Sequence, residues 1–336
     1  MSSLQLLWFI LIAVLFSGFF FLEGFDFGVG MSLTTLAKDE DEVDQAIATI
    51  GPVWDGNEVW LLTAGGAMFA SMPYWYASLF SGYYLLMFLI LAGLIIRGVS
   101  FEFRAVHPDN KHKVLWGKLC SLGSFIVPFV LGMVFTSVIQ GMPMDKKGDI
   151  TASFTDYVNL LSIVGGVAVT LLCYLHGLNY LALRTEGSLR QRAKEFAKKL
   201  YFLLYAGEVA FAVLLIIFTD FLEKHPISTL GLLAVIVILS VVAHMSVLKE
   251  KEAAAFVASG LTFVALVSLL FAGLFPRVMI AKDSQFDILI QNASSSEYTL
   301  KMMTIVSVTI LPFVLAYTVW TYYIFRKRVT AERIGH

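Results

Sequence analysis

MSSLQLLWFILIAVLFSGFFFLEGFDFGVG, residues 1–30, is apolar for longer than the roughly 20 residues that cross a bilayer, yet it carries Glu23 and Asp26 near its far end. It has no basic segment ahead of the apolar run and no A-x-A cleavage site, so it is expected to stay as a permanent helix and not to be removed as a signal. The remaining sequence has the same character. Of 336 residues, 58% are hydrophobic and 15% charged, and the mean hydropathy is +0.78, which makes the chain a polytopic membrane protein. Its 24 Lys and Arg and 25 Asp and Glu fall in separate short loops, and no basic tract suits a nucleic acid. Cys120 and Cys173 both sit in apolar runs, which leaves no disulfide framework and no C-x-x-C motif and reads as small buried side chains.

Measured against the bilayer, nine spans are expected, at 4–33, 52–72, 76–96, 115–140, 157–183, 200–221, 227–248, 253–276 and 302–325. The second is the weakest because its start is polar. Runs of this length without alternating hydrophobicity must be helices, since hydrocarbon offers the backbone no other partner. The segments between spans on one side hold 18 of the 24 Lys and Arg, with Lys118 counted there, which puts the N-terminus outside and the C-terminus in the cytoplasm. Short connections make neighbouring helices antiparallel. The expected architecture is all-α: a first four-helix bundle with an acid cluster over 1–140, a second over 141–276, and an external loop, a peripheral ninth helix and a cytoplasmic tail over 277–336. A faint echo between "LEGF" with "NEVW" and "LHGL" with "GEVA" pairs Glu23 with His176 and Glu58 with Glu208.

The second span opens with "GPVWDGNEVWLLTAGG", residues 51–66. Asp55 and Glu58 are three residues apart, hence on one helix face, and Glu23 and Asp26 repeat that spacing late in the first span. All four acids therefore fall in the cytoplasmic half of adjacent helices. Ionisable groups at depth cost a few kcal/mol and usually mark ion or proton paths. Asp55 and Glu58 could instead complement a helix N-terminus after Pro52, but Glu23 and Asp26 near a C-terminal end cannot. With only Arg97 or Arg104 as nearby cations, the set is expected to share protons and pass them on. The glycines of "GFDFGVG" and "TAGGA" allow close helix contact, and Trp54, Trp60, Tyr74, Trp75 and Tyr76 suit an interfacial belt. His107, His112, His225 and His336 fall in loops or the tail. Only His176 and His244 lie in spans; they are weak candidates for haem ligation, the alternative being a hydrogen bond to a neighbour. No hydrolase or nucleotide-binding motif is present.

"EGFDFGVG", "GPVWDGNEVWLLTAGGAMFASMP" and "LFPRVMIA", with the length and span layout, resemble subunit II of the bacterial cytochrome bd quinol oxidase family. The resemblance covers the whole chain. It implies a heterodimer with a subunit I that carries haem b and haem d and the quinol-binding loop, coupling quinol oxidation to reduction of O2. A small single-span accessory subunit and membrane lipid are further implied partners. By the same resemblance, Asp55 matches the acid of a proton entry path from the cytoplasm and Asp26 a second intramembrane acid. Glu58 and Glu23 stand where relatives vary, and His176 and His244 match no family ligand. The competing expectation is a proton-coupled secondary transporter, which intramembrane acids and glycine-interrupted helices also suit.

Overall fold

A computed structural model describes residues 1–106 and 109–330; His107 and the tail from 331 to His336 lie outside the described residues. In chain order the helices are α1 (Ser3–Thr35), α2 (Glu40–Ile50), α3 (Trp54–Ser71), α4 (Pro73–Gly82), α5 (Tyr84–Val106), α6 (Asn110–Gln140), α7 (Phe154–Tyr157), α8 (Leu160–Arg184), α9 (Gly187–Phe218), α10 (Phe221–Lys224), α11 (Pro226–Leu248), α12 (Glu252–Leu274), α13 (Ile290–Ala293) and α14 (Glu297–Ile324). Between α12 and α13, β1 (Arg277–Met279) and β2 (Ile288–Leu289) pair antiparallel.

Among the described residues, eight helices are long and apolar enough to cross a membrane: α1, α5, α6, α8, α9, α11, α12 and α14. The expected second span appears as α3, whose polar head of Asp55, Asn57 and Glu58 keeps it below that standard. The expected third span at 76–96 is displaced. Pro73 starts α4, whose missing N–H costs nothing in a first turn, and after a break at Tyr83 the spanning helix is α5, which runs ten residues beyond the expected end. Arg97 and Arg104, expected in a loop, therefore lie inside α5 and are buried. The acidic segment after α1 is also a helix, α2. Asp39 caps it by accepting from Glu42 N–H, and its acids tie the helix ends together: Arg104 donates to Asp44 at 2.8 Å and lies 2.6 Å from Glu40, while Arg192 pairs with Glu42.

α5 packs along α6, α11 along α12, and α1 and α6 both lie against α8. The α1–α8 crossing is tight because it is built on two glycines: a Cβ on Gly28 would stand 2.1 Å from the Cys173 carbonyl and 2.7 Å from Gly177 Cα. Gly65 and Gly66 behave differently, since a Cβ there would meet nothing in this chain. Trp75 is not at an interface with lipid but buried against Phe9 and Phe271. α14 is held mainly at its two ends. Trp8 Nε1 donates to Leu300 O at 3.2 Å and Thr304 Oγ1 at 3.1 Å, and Tyr322 reaches α3; of its residues only Leu300 is buried. On the face opposite α2, Arg277 of "LFPRVMIA" donates twice to Asp220, at 2.6 and 2.9 Å. Partial burial opposes ionisation of Asp220, but hydrogen bonds from Arg277 and Lys224 outweigh it and hold the carboxyl down at about 2.

Candidate functional site

The site forms where α1, α3 and α5 meet. The i, i+3 spacing of Glu23 and Asp26 turns both carboxyls to the same side of α1, where both are fully buried. Arg97 of α5 is fully buried too, and its Nη1 donates to Glu23 Oε1. The guanidinium is further held over Phe27 at 4.8 Å and Phe101 at 5.6 Å. A buried arginine needs such a carboxylate and such faces, because an uncompensated charge at this depth costs several kcal/mol.

Asp26 has a different partner. Asn57, buried at the head of α3, donates from Nδ2 to Asp26 Oδ2 at 2.7 Å and to Leu22 O at 3.1 Å. Its Oδ1 accepts from the Tyr322 hydroxyl of α14 at 2.8 Å. A chain of hydrogen bonds thus runs from α14 through α3 to α1. Glu58 is half-buried and acts electrostatically on Glu23, Asp26 and Arg97. Asp55 stands apart: it lies in the first turn of α3, exposed on the outer face of the chain, and touches the group only through the field it exerts on Glu58. The structure therefore gathers three of the four expected acids and leaves the fourth at the rim. Of the two cations expected near the acids, Arg97 is among them, whereas Arg104 pairs with Glu40 and Asp44 of α2. Four buried atoms here have no protein partner, namely Glu23 Oε2, Asp26 Oδ1, and Nε and Nη2 of Arg97.

The sequence reading missed Asn57 and Tyr322 and did not settle Arg97. A signal for Arg97 existed: Val99, Phe101 and Phe103 carry apolar residues on beyond it. Asn57 lies between Asp55 and Glu58 in the motif, and Tyr322 carried no signal at all.

The two histidines do not belong to this site. His176 is fully buried; its Nε2 donates to Phe21 O at 3.0 Å, its Nδ1 lies 2.7 Å from Ser259 Oγ, and its ring stacks on Phe256. Neither ring nitrogen is left for a metal. His244 has Nδ1 2.9 Å from the Tyr205 hydroxyl and is stacked on Tyr201. Asn179 links the two, donating to Tyr201 and to Ser259. Among the described residues, no group of three or more His, Cys, Asp or Glu is arranged to hold a metal ion.

The profile of the family described as Cytochrome bd terminal oxidase subunit II matches residues 4–325. The protein named Cytochrome bd ubiquinol oxidase subunit 2 of Bacillus subtilis (strain 168) is 47% identical over 331 residues, which cover 98% of each chain. Cytochrome bd-I ubiquinol oxidase subunit 2 of Escherichia coli (strain K12) is 31% identical, with 98% of this chain and 96% of that one covered. A chain of the bd oxidase structure from Geobacillus thermodenitrificans superposes with a TM-score of 0.76 over 97% of this chain and 100% of that one; at 14% identity this shows a shared fold. These likenesses do not favour the transporter reading. With the match running nearly end to end, the chain belongs to the cytochrome bd terminal oxidase subunit II family.

Proposed function

We propose that this chain is the second subunit of a bacterial quinol:O2 oxidoreductase, that it holds a haem-bearing subunit I, and that it supplies part of that partner's proton uptake from the cytoplasm. The observation that carries the proton role is the buried set of Glu23, Asp26 and Arg97, with Glu58 half-buried beside it and Asp55 exposed at its rim. Asp55 is the entry, Glu58 the relay, and Asp26 and Glu23 the buried acceptors. Buried polar groups are normally satisfied, so the unpartnered oxygens of Glu23 and Asp26 are able to take further hydrogen bonds from water or from a passing proton. Drawing the protons for O2 reduction from one side while quinol releases its protons on the other would build a proton-motive force.

Among the described residues, His176 has both ring nitrogens engaged and offers no axial ligand, while His244 is hydrogen-bonded at Nδ1 to Tyr205. Following the family resemblance, haem b and haem d are assigned to subunit I, along with the quinol site. The arrangement we propose is nine membrane helices, with α3 counted as the second. Four lie in a bundle over 1–140, four in a bundle over 141–276, and α14 lies at the periphery within 277–336. The N-terminus is outside and the C-terminus in the cytoplasm, as the distribution of Lys and Arg favours. A small accessory subunit and lipid complete the proposed partners.

Purification of the tagged chain from its native membrane tests the assembly. Haem bands in the reduced minus oxidised spectrum, with a larger membrane subunit in equal amount, are expected. A colourless preparation without a partner would refute it.

A further inference from the structure

On the α2 side of the membrane, the end of α1 and the middle turns of α6 and α8 enclose an open cleft of about 550 Å³, apart from the acid site. Its mouth near the end of α1 is polar. Thr34 Oγ1 lies 2.7 Å from Ser121 Oγ, Thr35 meets the Tyr174 hydroxyl, and Lys118 is exposed with no ion pair or hydrogen bond among the described residues. Deeper along α6 the lining changes character. Phe125 and Phe129 stack at 5.6 Å between centroids and, with Val167 of α8, make an apolar wall.

The distances suit one ligand class. At 1.5 Å per residue, the backbone advances about 16 Å from Lys118 to Phe129, which is about half of a hydrocarbon core roughly 30 Å thick. The cleft therefore passes from an unpaired cation and hydroxyls at headgroup level to aromatic faces at mid-bilayer, within one leaflet. A soluble anion would leave the wall unused, and a plain hydrocarbon would leave Lys118 unused.

We propose that this cleft binds one phospholipid, with its phosphate at Lys118, its ester region at the Thr34, Ser121 and Tyr174 hydroxyls, and one acyl chain along Phe125 and Phe129. The lysine stem lies along the cleft while its ammonium stays at the interface. This site does not rest on the proton reading.

Native mass spectrometry of the complex, washed with excess detergent, tests the proposal by counting the phospholipids retained. Lys118→Glu reverses the charge at the mouth, and Val167→Trp fills the cleft from a side chain that is exposed in this chain. Each is expected to lower the retained number by one. Lys111→Glu, exposed at the start of the same helix but outside the cleft, is expected to leave the number unchanged. Equal retention in the parent, Lys118→Glu and Val167→Trp, or complete loss of phospholipid from the parent on washing, would overturn it.

Discussion

Removing Arg97 tests most sharply how the acid site is held together. Arg97 and Glu23 are both fully buried and bonded to each other. Breaking a buried pair by deleting one partner leaves an uncompensated charge and costs about 3–5 kcal/mol, whereas replacing both by apolar groups is often near neutral. Arg97→Leu also forfeits the contacts with Phe27 and Phe101, worth about 1 kcal/mol or more once desolvated. Arg97→Leu is therefore expected to lose roughly 4–6 kcal/mol, Glu23→Leu about 3–5, and the double variant about 1–3. A coupling energy of at least about 4 kcal/mol follows, above the roughly 0.5–3 kcal/mol usual for contacting residues. Denaturing-detergent titration of the four purified complexes measures it. A single-variant loss below about 1 kcal/mol, or a double variant that loses the sum of the singles, would refute the reasoning.

Other consequences are local. Tyr322→Phe removes the donor to Asn57 and should cost about 1 kcal/mol in the same titration while α14 stays anchored through Trp8; Asn57→Leu strips both Asp26 and Tyr322 of a partner and should cost more. Asp220 has its pKa depressed from 3.8 to about 2 in the folded chain, so its contribution to stability is fully present above about pH 4 and lost as pH falls toward 2. Thermal midpoints of parent and Asp220→Asn should therefore differ above pH 4 and converge below it, and a constant difference would contradict the clamp with Arg277. Gly28→Ala drives a methyl into the Cys173 carbonyl and should prevent accumulation of folded chain. Gly65→Ala adds a Cβ that meets nothing within 4 Å in this chain, so its folded yield should be normal, and loss of the partner on purification would place the subunit interface on the outer face of α3.

The apolar run lengths made the membrane class and most helix positions legible, because hydrocarbon admits few alternatives to a helix. The misplaced span has a definite cause. A hydropathy window ends at a charge, so Arg97 seemed to end a helix that in fact continues through it, and the cation that balances Glu23 lies 74 positions away in sequence. The acids were readable from their spacing, since Glu23, Asp26 and Glu58 converge. Their different environments were not: Asp55 shares a helical face with Glu58, and only the packing of α3 shows that it points outward. Asn57 and Tyr322 escaped notice because a neutral amide and a tyrosine near a membrane surface are common, and only their contact with each other and with Asp26 sets them apart.

The proton role of Asp55 is tested most directly by oxygen uptake per haem, with saturating quinol, in an assembled Asp55→Asn complex beside the parent. If Asp55 is the entry to the acid set, the rate falls by about a hundredfold or more, within the range that a positioned proton-transfer group contributes, while the haem content and subunit ratio stay unchanged. A rate equal to that of the parent, in a complex with full haem, would contradict it.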